Sequence, residues 1–286
     1  VFNEGVTTVT WRVYDAAGND NDCSFTVTVE DNDNPVVTDL PTDTTGYVDA
    51  NCEFEIPDYT PEVIASDNCG TVNVTQNPTG TILSGHGTTQ VITFTIADGN
   101  GNEITRDILL TLRDTIVPEV TGLPTDTTGF LDSGCSFVVP DYRGEVIASD
   151  NCGNVNISQI PIGASLTGDG NTQPITFIIR DGNGNQITRD ILLTLRDTIV
   201  PEVTGLPTDT TGYVDANCEF EIPDYTPEVI ASDNCGTVNV TQNPTGTILS
   251  GHGTTQVITF TIADGNGNEI TRDILLTLRD TIVPEV

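Results

Sequence analysis

The sequence predicts an all-β fold, tandem Ig-like Greek-key β-sandwich repeats arranged as an elongated rod. Three observations carry this expectation. A repeat of 83 residues runs through the chain, apolar and polar residues alternate with period two inside it, and no stretch sustains a helical period.

The repeat comes first because missing it misassigns the whole fold. Leu-Pro-Thr-Asp-Thr-Thr-Gly begins at Leu40, Leu123 and Leu206. Ile-Ala-Ser-Asp-Asn-Cys-Gly begins at Ile64, Ile147 and Ile230, and Asp-Gly-Asn-Gly-Asn at Asp98, Asp181 and Asp264. The first and third copies are nearly identical and the middle one is diverged. Asp15 to Asn19 stands one period before Asp98 to Asn102, so the start of the chain is read as the back end of a further copy. The expected domains are therefore 1–35, the C-terminal part of a diverged repeat, and three Ig-like repeats at 36–118, 119–201 and 202–286. Near-identical copies favour length and spacing over a single reactive constellation.

Within a repeat the strands follow in order. Short ones are expected near Val36–Leu40, Cys52–Ile56, Val63–Ala65, Thr71–Gln76 and Thr81–Leu83, separated by Pro57, Pro61, Gly70, Pro78 and Gly80. In Val91–Ala97, Ile92, Phe94 and Ile96 face one way, and Thr93 and Thr95 the other. Glu103–Arg113 places Ile104, Ile108, Leu110 and Leu112 on one face. Asp98-Gly-Asn-Gly-Asn102 between them suits a hairpin that tolerates positive φ. Val9, Trp11 and Val13, then Cys23, Phe25, Val27 and Val29, repeat the alternation in the leading fragment. Pro174 replaces Val91 in the middle repeat. Its strand is expected either to start after the proline or to hold it where no ladder bond is needed. About seven short strands per repeat argue for a Greek-key sandwich. Linkers of about five residues containing a proline predict a stiff string.

Composition limits the function. The net charge is -33, from 42 acidic and 9 basic residues, and every basic residue is Arg. Such a surface repels phosphate backbones, so nucleic acid is not expected as a partner, and it attracts cations. No apolar run approaches the ~20 residues of a membrane-spanning helix, so no membrane insertion is expected. The chain begins Val1-Phe2-Asn3 with neither initiator Met nor signal peptide, and is read as an internal piece of something longer.

Ser66-Asp67-Asn68-Cys69-Gly70, the later Asp-x-x-Gly-Asn hairpin, and a closing strand that ends in Asp-x-x-x-Pro together resemble the hyalin repeat (HYR) family. The segment from Gly5 to Asn19, followed by Asp22–Val29, carries this resemblance most closely. Repeats with a Thr-Gln-x-Pro segment, here Thr75-Gln76-Asn77-Pro78, are similar to those of giant surface adhesins from gliding bacteria. The resemblance implies an Ig-like fold, a role in adhesion, and a location outside the cell, on a bacterial outer surface. The full repeats depart from the family at Arg106, Arg189 and Arg272, where the fragment keeps Cys23.

Each full repeat has two cysteines 17 apart: Cys52 and Cys69, Cys135 and Cys152, Cys218 and Cys235. One pair per repeat reads as one disulfide per repeat in an oxidising compartment. The partner of Cys23 is expected upstream of the chain. Asp98, Asn100 and Asn102 have the spacing of a calcium loop, but the sixth and twelfth positions are Glu103 and Leu109 and not the Gly and Glu of an EF-hand. A plain hairpin is the favoured reading there. Glu30, Asp31 and Asp33 form the better calcium candidate, because they resemble the inter-domain calcium linkers of cadherins. The other junctions offer one carboxylate, so calcium is not expected at every joint.

His86 and His252 occupy equivalent loop positions where the middle repeat has Asp169, with no nucleophile nearby. With no phosphate loop or nucleophile elbow either, no enzyme is expected. Thr44, Thr115, Thr127, Thr198, Thr210 and Thr281 follow Asp in the pattern that the resembled bacteria use for O-glycans. Asn73, Asn156 and Asn239 fit N-glycosylation in a eukaryotic source. The leading expectation is a structural stalk of a large surface adhesin. Its partners would be further repeats of the same polypeptide, with host, substratum or cell-surface ligands engaged by other regions. Alternatives are a multivalent glycan- or protein-binding module and a laterally assembling matrix subunit.

Overall fold

The computed structural model describes residues 1–283; the last three positions of the third repeat, 284–286, lie outside them. Among the described residues the regular structure is β-strand, apart from short 3-10 turns such as Thr60–Glu62. Two compact units emerge. One is Val1–Glu119 with Ser149–Asn156 and Arg180–Gln186, and the other is Val120–Ala148 with Ile157–Ile179 and Ile187–Val286.

The first unit opens on a hairpin of β1 (Gly5–Tyr14) and β2 (Asp20–Val29). On its alternating face Trp11, Val13 and Phe25 are exposed. Eight strands follow: β3 (Val36–Asp39), β4 (Thr44–Tyr47), β5 (Glu53–Glu55), β6 (Ile64–Ser66), β7 (Asn73–Asn77), β8 (Ile82–Ser84), β9 (Thr89–Ala97) and β10 (Glu103–Arg113). One sheet has the order β4-β10-β9-β7, with β4 parallel to β10 and the other pairs antiparallel. Opposite it, β3 pairs with β6 and β5 with β8. This is an Ig-like sandwich. The predicted face Ile92, Phe94, Ile96, Ile108, Leu110 and Leu112 forms its core together with Val48, Ile56 and Val63.

The sequence reading did not foresee β4. Its motif is polar and short, and it becomes a strand because the long β10 offers it a free parallel edge. Gly46 permits the approach: a Cβ there would lie 2.9 Å from both the Phe54 ring and the Leu112 side chain. Asp43, just before β4, accepts the N–H of Leu109 at 2.8 Å. Asp126 does the same for Leu192 and Asp209 for Leu275. This decides the case of Pro174, which sits inside the strand Thr172–Arg180. The N–H of Leu192 is turned to Asp126, so the facing pair is a non-hydrogen-bonded one. The N–H missing at Pro174 therefore costs no ladder bond.

The second unit follows the same plan. Thr127–Phe130 runs parallel to Gln186–Arg196, and Thr210–Tyr213 parallel to Glu269–Arg279. Ile175, Phe177 and Ile179 are wholly buried, as are Ile258, Phe260 and Ile262. A glutamine fastens each sandwich, buried in the middle repeat and half-buried in the other two. Gln159 is 5% exposed; its Oε1 accepts from Tyr142 N at 2.7 Å, and its Nε2 donates to the carbonyls of Pro140 and Pro161 at 2.8 and 2.9 Å. Gln76 and Gln242 make the equivalent bonds. Replacing Gln159 by Leu keeps the volume but leaves three backbone groups without partners. Gln159→Leu is expected to lower unfolding stability by about 2–4 kcal/mol, read by chemical denaturation.

Candidate functional site

The chemistry of the chain concentrates where three recurring turns meet. The first is the Asp98–Asn102 hairpin, organised by one side chain. Asp98 Oδ1 accepts the backbone N–H groups of Asn100, Gly101 and Asn102 at 2.8, 2.8 and 2.9 Å, and Oδ2 accepts from Asn102 Nδ2 at 2.7 Å. The two asparagines also reach an earlier turn: Asn100 Nδ2 donates to Asp31 Oδ2 at 2.9 Å, and Asn102 Nδ2 to the Asp31 carbonyl at 3.3 Å. Both donate through their side-chain nitrogens within the hairpin that is the favoured reading of the sequence there. The third turn, Asp67–Gly70, adds a carboxylate. Oxygens of Asp31, Asp67 and Asp98 lie within 4.8 Å of one another. Glu30 stands outside this triad, and Asp33 instead accepts from Asn68 Nδ2 at 2.8 Å.

The triad recurs one period later as Asp114, Asp150 and Asp181, and again as Asp197, Asp233 and Asp264. Acidic clusters thus form at the later junctions too, where the linker itself offers one carboxylate. A single carboxylate per linker suffices because the other two arrive from the Ser-Asp-Asn-Cys-Gly turn and the hairpin. Asn183 Nδ2 donates to Asp114 Oδ2 at 2.8 Å, and Asn266 Nδ2 to Asp197 Oδ2 at 3.1 Å. The linker carboxylate is more buried in the second and third clusters than in the first. Asp114 is 3% and Asp197 4% exposed, whereas Asp31 is half-buried.

Such crowding is electrostatically unfavourable. Two unit charges at this separation repel by about 3–4 kcal/mol at an effective dielectric near 20. Burial raises the Asp150 carboxyl above its ordinary range, and the charges of Asp114 and Asp181 raise it further. For Asp181, burial acts upward, but the hydrogen bonds from Asn185, Asn183 and Gly184 together outweigh it and hold the group low. Asp150 Oδ1, Asn151 Oδ1, Asp233 Oδ1 and Asn234 Oδ1 are buried without any donor. The ion pairs of the described residues involve Arg12 and Arg143, and none reaches a triad.

The other predicted positions fall around these turns. The Nδ1 of His86 accepts the Asp114 N–H at 3.1 Å, that of His252 accepts the Asp280 N–H at 3.0 Å, and Asp169 serves Asp197 at 2.7 Å. These loop residues thus hold the backbone of the junction. Thr115, Thr198 and Thr281 are exposed, as are Asn73, Asn156 and Asn239, while Thr44, Thr127 and Thr210 are half-buried in strands. Cys23 is exposed and unpaired on β2.

The disulfides overturn the pairing expected within each repeat. Cys52 bonds Cys152 and Cys135 bonds Cys235, each across a separation of 100 residues, with Cα atoms 5.1 and 5.0 Å apart. Cys69 and Cys218 are unpaired. The reason is the length of β10. Val48, just before the Asp49–Cys52 turn, donates its N–H to Arg113 at the far end of that strand, whereas Asp67 clusters with Asp98 at its near end. Eleven residues of strand, about 33 Å, separate the two cysteines of one repeat. The next Ser-Asp-Asn-Cys-Gly turn lies beside Cys52 instead: Asn151 Nδ2 donates to the Asp49 carbonyl at 2.9 Å, and Asn234 Nδ2 to that of Asp132 at 3.0 Å. Peptide mapping of the non-reduced chain is expected to yield Cys52–Cys152 and Cys135–Cys235 and no Cys135–Cys152. Cys135→Ser is expected to cost roughly 2–5 kcal/mol in a denaturant titration.

Residues 1–29 match the HYR domain. The whole chain is 28% identical, over 302 residues, to a Hyalin of Lytechinus variegatus, covering 55% of that protein. It is 29% identical, over 307 residues, to a Hyalin of Strongylocentrotus purpuratus, covering 24% of it. The chain thus spans about half and about a quarter of these relatives. Among solved structures it is similar to protocadherin gamma B2 extracellular cadherin domains 1–5, with TM-score 0.38, 11% identity, and coverage of 98% of this chain and 74% of that one. For Sidekick-1 immunoglobulin domains 1–5 the values are TM-score 0.32, 10% identity, 94% and 66%. The chain is HYR-like, similar to the hyalins along its whole length.

Proposed function

We propose that this chain is a tension-resisting segment of an extracellular stalk that projects the adhesive part of a longer protein. The supporting observation is the step between bonded cysteines. Each disulfide joins the first cysteine of one repeat to the second cysteine of the next, so the bonds form a ladder along the chain. Disulfides of this kind belong to an oxidising compartment, which supports a location outside the cell. The acidic surface keeps such a chain soluble and its copies apart. No residue of the repeats acts as a catalyst in this reading, and structural calcium sits at the joints between repeats. The Thr-Gln-Asn-Pro segment and the Asp-Thr pairs favour a large surface adhesin of a gliding bacterium as the parent protein. Its partners are then further repeats of the same polypeptide, with ligands engaged elsewhere.

Stretching the chain by its two ends tests the reading. The covalent path of the oxidised chain runs from the start to Cys52, across to Cys152, back to Cys135, across to Cys235 and on to the end. That path holds about 120 residues of backbone, against 286 in the chain. Reduction is expected to lengthen the fully stretched molecule by roughly 550–600 Å in single-molecule force spectroscopy. Equal extension before and after reduction contradicts the proposal.

A further inference from the structure

We propose that the Asp114–Asp150–Asp181 and Asp197–Asp233–Asp264 clusters are binding sites for a hard divalent cation, Ca²⁺. This rests on reading these turns as joints between repeats and is independent of the tension argument. Two features point to a cation and neither is the acidity alone. Among the described residues, the buried side-chain atoms that lack any hydrogen-bond partner are Asp150 Oδ1, Asn151 Oδ1, Asp233 Oδ1 and Asn234 Oδ1. All four are acceptors, and all four belong to these clusters or to the asparagine beside them. Asn151 turns its amide nitrogen to the Asp114 carboxylate at 3.4 Å, and Asn234 turns its own to Asp197 at 3.1 Å, so each amide group stands against its cluster. Buried oxygens without donors call for a partner from outside the chain, a cation or an ordered water. The second feature is charge. Asp114 and Asp197 are more than nine-tenths buried, and every group that reaches their carboxylates is a neutral amide.

The chemistry of the donors selects the ion. Carboxylate and amide oxygens are hard ligands, suited to Ca²⁺ and poor for a thiolate- or imidazole-seeking metal. Two oxygens on opposite sides of a Ca²⁺ ion stand about 4.8 Å apart at ordinary bond lengths, and the three carboxylates of each cluster lie within 4.8 Å of one another. The first cluster differs. Its asparagine, Asn68, is turned to Asp33 and leaves no orphaned oxygen, and Asp31 is only half-buried. The two inner clusters are therefore the strong sites and Asp31–Asp67–Asp98 a weak one, the reverse of the order that the acidic linker suggests.

The test is equilibrium dialysis of the oxidised 286-residue chain against Ca²⁺, with thermal melts in Ca²⁺ and in EDTA. Two tightly bound ions per chain are expected, and a rise in melting temperature of at least about 5 °C. Asp150→Asn with Asp233→Asn keeps an oxygen for the N–H groups of Cys152 and Cys235. It is expected to weaken Ca²⁺ binding at least about tenfold while leaving the EDTA melt and the disulfide map unchanged. Fewer than two tight ions on the native chain overturn the proposal, as does undiminished binding by a folded variant. If the variant fails to fold, the native stoichiometry decides. The length gained on reduction, measured in EDTA, judges the stalk reading separately.

Discussion

A buried carboxylate at the end of a long strand is the constraint around which the molecule is arranged. Asp114 follows β10 directly, and almost none of its surface is left to solvent. Its N–H is taken by His86, and its carboxylate by Ile116 N, Asn151 and Asn183. A charged group is buried only when its surroundings are fixed. The loop of one repeat and two turns of the next must therefore be in place together. Asp197 imposes the same condition one period later, with Asp169 in place of the histidine. The disulfides bond the turns that these contacts have already brought together.

This division of labour suits repeats with little core. Only nine residues form the buried cluster of the first full repeat, and its opposing sheet consists of strands three or four residues long. The long β9 and β10 supply most of the apolar area. The corners rest on polar fasteners instead: the glutamine that bonds three backbone groups, the aspartate that takes a strand N–H, and the aspartate that closes each hairpin. A chain of this kind can carry a strongly acidic exterior because its own carboxylates are put to structural use.

How much of this could be read in the sequence depended on the range of the interaction. Period-two alternation in Val91–Ala97 and Glu103–Arg113 correctly predicted two strands and the core face, since burial of a sheet face is local information. The hairpin at Asp98 was legible for the same reason. Strand β4 was not, because its parallel partner lies more than sixty residues away and its own residues carry no apolar pattern. The triads were half legible. Asp31 and Asp98 stood out, while Asp67 was seen as part of a repeated motif without a role. The cysteine pairing failed because spacing within a repeat was taken as proximity. The strand pattern already contained the correction: a turn before β5 and a turn after β6 lie at opposite ends of an eleven-residue strand.

The 100-residue step between bonded cysteines also has a consequence in time. In a chain that emerges from its amino end, Cys69 follows Cys52 after 17 residues, and Cys152 appears only after a full further repeat. An oxidant acting on the unfolded chain would join the near neighbours first. The native ladder therefore requires each sandwich to close before its thiols react, so that its ends hold the two cysteines apart. The first cysteine of each repeat sits at a left-handed φ, 61° at Cys52, 54° at Cys135 and 62° at Cys218, and at Cys218 the turn is organised by Asp215. Oxidation in this chain thus records that folding has already happened, one repeat at a time.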